Sequence, residues 1–329
     1  MKNLFIGIDI SKDVFDYCFL SEDNELLIPK GQKPNTVKGI NELCKRISGF
    51  SDYAIWICME HTGYYGYLLA FEFSKRNLRY SLLNPLEMKH SVGLTRGKTD
   101  MIDAYRIASF ALSNMHKLKP HSLPTEQLQQ LKVFISMRNR YTKILVQLKN
   151  GLKACQIAAK TIDLSIQIEE NLALIKQQEQ AITNLDKQML ELINSSGELK
   201  ESFRKATQVI GVGPLTAMKC IVETDNFNKF TDGRKFSCHC GLAPFEYRSG
   251  SSVRAKTRTS PLSDKSLKAI FYKAAGTAIQ HDPQLKNYYN RKLKEGKHKL
   301  SVLNAVANKL VLRIFAVVQR DEPFVKFSA

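Results

Sequence analysis

Four carboxylates stand where packing gives no reason for them. Asp9 interrupts the apolar run FIGIDIS, Glu60 ends the apolar run YAIWICME, and Asp100 and Asp103 open KTDMIDAYRIASFAL. A charge within an apolar segment is costly unless it is paired or holds a metal. The HTG step after Glu60 favours a turn and leaves that carboxylate at the carboxyl edge of a strand. Thr99 suits the N-cap of a helix. A spacing of three then puts Asp100 and Asp103 on one helical face, where like charges repel and invite a cation. Two Mg²⁺ ions about 4 Å apart would answer that need, clamping the attacking and leaving oxygens of a phosphoryl transfer; Mn²⁺ is the expected substitute. A surface charge or a cap explains any one of these acids alone. Strand acid, strand acid, then a helical D-x-x-D is how a ribonuclease-H-like fold supplies such ligands.

A second group lies in GLAPFEYRSGSSVRAKTRTS at 241–260. Ser249, Ser251 and Ser252 surround Gly250, with Arg248, Arg254, Lys256 and Arg258 close by. A flexible Gly/Ser loop beside cations binds phosphates. The sharper reading is a serine nucleophile whose attack on a phosphodiester is helped by guanidinium groups. In VIGVGPLTAMKCIVE, Gly211 and Gly213 precede an apolar helix, an arrangement that exposes backbone N–H groups to a phosphate. Cys238-His239-Cys240 is the cluster that most resembles metal ligands. It lacks a second pair at zinc-finger spacing and reads as an ordinary buried segment.

The elements that must position these groups fall into three stretches. Residues 3–20 read as two strands, SEDNE at 21–25 as a turn into a further strand, and Thr36–Ile47 as a helix with Val37, Ile40, Leu43 and Ile47 on one face. YAIWICME at 53–60 suits a buried central strand, 67–75 a helix and 79–85 another strand, so residues 1–125 form an α/β layer. From 126 to 200 Gly and Pro almost vanish. Ile175, Ile182 and Met189 recur every seven residues, with Leu185 and Leu192 at the alternate positions, as in a coiled-coil seam. That seam fits either a hairpin within one chain or a dimer interface, and we read it as serving self-association. Residues 201–329 are mostly helical and basic.

Charge follows the same division. Lys+Arg against Asp+Glu number 16 to 13 over residues 1–125, 10 to 8 over 126–200 and 23 to 10 over 201–329. The last third thus carries +13 of a total of +18 and is where a nucleic acid is expected to be gripped. Seven scattered cysteines argue against a disulfide framework. The N-terminus is too short in apolar residues for a signal peptide, and no window approaches 18 continuous apolar residues. A cytoplasmic protein of a prokaryote, at the nucleoid and not in a membrane, is expected.

Taken together, IGIDISK, MEHTGYYG, RGKTDMIDAYRIA, VIGVGPLTA and GLAPFEYRSGSSVRA resemble, in this order and spacing, the DEDD transposases. These are insertion-sequence recombinases related to the Piv DNA invertase, and the resemblance covers essentially the whole chain. It implies an N-terminal RuvC-like domain, a coiled-coil connector and a C-terminal transposase domain. It also implies Mg²⁺ on Asp9, Glu60, Asp100 and Asp103, and attack on DNA by Ser249 to form a phosphoserine link. Insertion-sequence members use a structured guide RNA (a bridge RNA) and assemble as dimers and tetramers, with active sites shared between protomers; Piv-like members invert DNA. His61 and Ala255 depart from the family pattern, at flanks of the acids and the serine. Besides a transposase and a Piv-like invertase, a RuvC-like nuclease or junction resolvase using metal-activated water fits the acids. A sugar kinase of the actin fold fits GIDIS, but its motif has no second copy in this chain.

Overall fold

The computed structural model describes residues 1–60, 63–85, 87–88, 100–230, 232–249 and 253–320, with the side chains of 100–102, 245–249 and 253–258 left out. Thr99, His61, Gly250, Ser251 and Ser252 lie outside the described residues. The chain forms two compact units, Met1–Leu123 and Pro124–Ala329.

The first unit is built on a five-stranded sheet. Its strands are β1 (Lys2–Ile10), β2 (Val14–Ser21), β3 (Leu26–Pro34), β4 (Tyr53–Glu60) and β5 (Tyr80–Leu83), in the order β3-β2-β1-β4-β5. β1 pairs antiparallel with β2 and parallel with β4, so the two most apolar segments occupy the middle. Alternation divides their side chains between two layers. Leu4, Ile6, Ile8, Ile57 and Met59 meet α1 (Val37–Ser48) and α2 (Tyr67–Lys75) on one face. Phe5, Cys18, Trp56, Cys58 and Leu83 meet α3 (Asp100–Ser113) on the other. Thr36 caps α1, accepting a hydrogen bond from the Gly39 N–H at 3.3 Å, and Lys45 and Arg46 suit its C-terminal dipole. Ile40, Leu43 and Ile47 are buried as expected. Val37, the first residue of α1, is instead 47% exposed.

In the second unit, α4 (Glu126–Ala158) and α5 (Ser165–Asn194) form an antiparallel helical hairpin. Arg138 bonds Asp186 at 2.5 and 3.1 Å, and further along the hairpin Lys149 meets Glu179 at 2.6 Å. Ile175, Leu185 and Met189 are buried and Ile182 and Leu192 half-buried, so the seven-residue seam is taken up within the chain. The base of the hairpin, through Leu128, Leu131, Ile135 and Ile193, shares one core with the helices that follow. These are α6 (Gly197–Thr207), α7 (Pro214–Glu223), α8 (Gly233–His239), α9 (Lys265–His281), α10 (Pro283–Lys294) and α11 (Lys299–Gln319). Helix α11 is long and apolar enough to cross a membrane by length and composition alone. Its Val306, Leu310, Val311, Ile314 and Phe315 are buried against Phe227, Phe236 and Phe271, so packing accounts for that apolarity. Between α8 and α9 stands a hairpin of β6 (Phe245–Ser249) and β7 (Val253–Arg258), where composition alone suggested a flexible loop. The alternation in FEYRS and VRAKTR explains the strands.

Candidate active site

The sheet brings two of the four acids together. Ile8 pairs with Met59, so Asp9 and Glu60 follow side by side at the carboxyl ends of adjacent parallel strands, both half-buried. Asp9 also pairs with Asp16 of β2. Paired residues project to the same face, so Asp16, Asp9 and Glu60 form a row of carboxylates across β2, β1 and β4 on the side that α3 covers. Asp16, which the sequence reading missed, is 5% exposed and accepts hydrogen bonds from Gln32 Nε2 at 3.1 and 3.2 Å. Its signal was present: it lies seven residues after Asp9 in an alternating strand, on the parity of Cys18 and Leu20.

Helix α3 reaches this face because Gly7 has no side chain. A Cβ there would stand 2.1 Å from the Ala104 carbonyl oxygen and 2.6 Å from the Ala108 nitrogen. Ile107, Ala108 and Ala111 pack toward Phe5 and Leu20. The helix therefore runs antiparallel to β1, with its first turn directed to the edge where Asp9 and Glu60 stand. That turn holds Asp100, whose side chain lies outside the described residues, and Asp103, half-buried and bound to Arg106 at 2.9 Å. Asp9, Glu60 and Asp103 supply the kind of hard oxygen that a divalent cation takes, and Arg106 pairs with Asp103; among the described residues their oxygens do not gather within 4.8 Å of one another.

The second unit holds the serine. Ser249 is the last residue of β6 and pairs with Val253, with Arg248 and Arg254 opposite each other one step back. The side chains of Arg248, Ser249, Arg254, Lys256 and Arg258 lie outside those described, and the register places two arginines beside the serine's position. Of the two glycines proposed to meet phosphate, Gly211 adopts φ +93° and abuts α9, where a Cβ would stand 2.6 Å from Ala278 Cβ and 2.7 Å from the Ala274 oxygen. Packing and backbone conformation thus account for Gly211. Gly213 faces open space at the N-cap of α7, which has no side-chain cap, so first-turn N–H groups stay available there.

A mixed sheet in the order β3-β2-β1-β4-β5, compatible with a RuvC-like domain, is followed by a mostly helical unit that carries most of the chain's positive charge. Two family models match the chain: a DEDD-type IS110 transposase model over residues 6–155, and the transposase IS116/IS110/IS902 family over 204–290. Together they take in well over half of the sequence, and the chain belongs to this transposase family; it is a DNA transposase or recombinase. Among similar proteins, the pilin gene-inverting protein of Moraxella bovis is 26% identical over 333 residues, covering 99% of each chain. Its counterpart in Moraxella lacunata is likewise 26% identical over 99% of each. The transposase for insertion sequence element IS1111A of Coxiella burnetii is 22% identical over 98% of this chain and 92% of its own.

Proposed function

We propose that the protein cuts and rejoins DNA strands through a covalent serine link, with the acids of the first unit and Ser249 of the second serving one reaction. The observation that carries this is the shared sheet face of Asp9 and Glu60, faced by the first turn of α3, in a chain of the DEDD transposase family. When bound, Mg²⁺ or Mn²⁺ on Asp9, Glu60, Asp100 and Asp103 would neutralise phosphate charge and orient the scissile group. The Ser249 hydroxyl attacks phosphorus, one P–O ester bond forms, and a sugar oxygen departs and takes up a proton. A sugar hydroxyl of another strand reverses the step, losing its proton and freeing the serine. Arg248 and Arg254, with Lys256 and Arg258, hold the phosphate through guanidinium and ammonium donors, and the N-terminus of α7 at Gly213 contributes backbone N–H groups. The excess of +13 over residues 201–329 supports a long nucleic-acid footprint, of DNA and of a structured guide RNA. Exposed Ile157, Ile162, Ile166, Leu172 and Leu174 around the closed end of the α4–α5 hairpin support assembly into dimers and tetramers. The bacterial relatives and the seven free cysteines support a cytoplasmic site of action.

Inversion of a DNA segment without a guide RNA is the second reading, favoured by the 99% mutual coverage with the two gene-inverting proteins. Incubation with supercoiled DNA carrying the element's ends tests the chemistry. A covalent protein–DNA adduct is expected, and Ser249→Ala should abolish it. Cleavage by Ser249→Ala at the wild-type rate would instead mean hydrolysis by a RuvC-like nuclease. Recovery of inverted rather than excised products identifies an invertase.

A further inference from the structure

Away from those acids, three potential ligands converge in the second unit. Glu223, His239 and Asp264 each offer one atom, and these atoms all lie within 4.8 Å of one another. Their elements differ: Glu223 ends α7, His239 ends α8, and Asp264 caps α9.

The surroundings leave each ligand in need of a partner. His239 Nε2 is shut off from solvent without a hydrogen-bond partner, its ring lying against Phe230 and Phe236 with centroids at 5.5 and 6.1 Å. An orphaned ring nitrogen in such a setting is costly. Glu223 sits at the C-terminal end of its helix, where the dipole opposes an anion, and makes no ion pair among the described residues. Asp264 spends Oδ1 on the Ser266 and Leu267 N–H groups, at 2.6 and 3.0 Å, leaving its second oxygen for another partner. Lys219 lies within electrostatic reach of both acids, but its hydrogen bond goes to Ser266 Oγ at 2.9 Å. Cys220 and Cys240 are buried in the core of the same unit.

We propose that Glu223, His239 and Asp264 bind a divalent transition-metal ion of the Mn²⁺ or Zn²⁺ class. One imidazole with two carboxylates selects such ions over Mg²⁺ and Ca²⁺, which prefer all-oxygen ligation. The ion has a structural task. The serine hairpin is the excursion between His239 and Asp264, so an ion bridging these two and Glu223 fixes the root of β6 and β7 on the helical core. Part of that root is already fixed, since the Asp264 N–H bonds the His239 carbonyl at 2.9 Å.

The test uses the full chain carrying Asp9→Asn and Glu60→Gln, which silences the other acid site and makes the outcome independent of the proposed reaction. After equilibration with Mn²⁺ or Zn²⁺ and desalting, elemental analysis should find about one ion per chain, with a raised unfolding midpoint; Mg²⁺ and Ca²⁺ should give neither. Adding His239→Gln or Glu223→Gln should weaken retention at least tenfold, the loss that even an outer-shell partner of a metal ligand brings. Circular dichroism checks folding, and Glu223→Gln, which removes no ion pair, decides if His239→Gln misfolds. Failure of the parent to retain Mn²⁺ or Zn²⁺, or retention that survives Glu223→Gln in folded protein, overturns the proposal.

Discussion

Changing Asp9 to Asn keeps its size while removing a ligand charge, and so separates metal chemistry from packing. Asp9→Asn and Glu60→Gln are expected to cut strand cleavage by at least a hundredfold, while filter binding shows DNA affinity within about twofold, because charge at the reacting phosphate rather than the DNA footprint is lost. Both acids were legible as interruptions of apolar runs. Asp16 left only a weak signal, its strand parity, because its partner Gln32 lies on another strand and the pairing of β1 with β2 is what makes it Asp9's neighbour. Thiols give an independent probe of the same layer. Burial pushes Cys18 and Cys58 up to about 12 from 9.0. At pH 8 neither should react with a thiol reagent until the protein unfolds. The unfolded chain releases these protons first as pH rises, so their contribution to stability is complete below about pH 9 and is lost between there and about 12; the urea midpoint at pH 8 and pH 10 measures it.

At the scale of elements, the apolar periods marked β1, β4 and α1, yet the contacts that build the site join elements far apart in sequence. Gly7, in the middle of β1, is the gap through which α3 touches that strand. Gly7→Ala should cost roughly 1–3 kcal/mol by chemical denaturation and lower cleavage as well, since relief of the clash shifts the helix bearing Asp100 and Asp103. Gly211→Ala combines a positive φ with a clash against α9, and should cost about 3 kcal/mol while leaving the first unit's melting unchanged. The seven-residue seam of α5 was legible as a seam but not as to its partner, because a facing helix in the same chain and one from a second copy demand the same spacing.

For the whole molecule, charge gives a measurable signature. The basic excess of the second unit makes DNA affinity fall steeply with salt, and each phosphate contact removed should reduce the log–log slope by about one. Arg291 and Lys294 lie on α10 beside Tyr288, whose ring the Arg291 guanidinium approaches at 5.7 Å. Neutralising both should lower the slope by up to two, read by titration at several salt concentrations, with adduct formation on saturating DNA unchanged. Charge asymmetry was visible from composition. The sheet order β3-β2-β1-β4-β5 was not, since the parallel pairing of β1 with β4 spans some fifty residues that no local pattern encodes.

One backbone bond described above bears on how such proteins diversify. Because Asp264 N–H and His239 carbonyl oxygen close the base of the segment between them, that segment enters and leaves the helical core at a fixed doorway. Outside the buried Cys240 and Leu242, its length and composition can drift without disturbing the helices on either side. The strand pair is thus built as an exchangeable cassette: grafting a relative's counterpart of residues 245–258 should change which DNA is engaged while the host scaffold keeps its melting temperature.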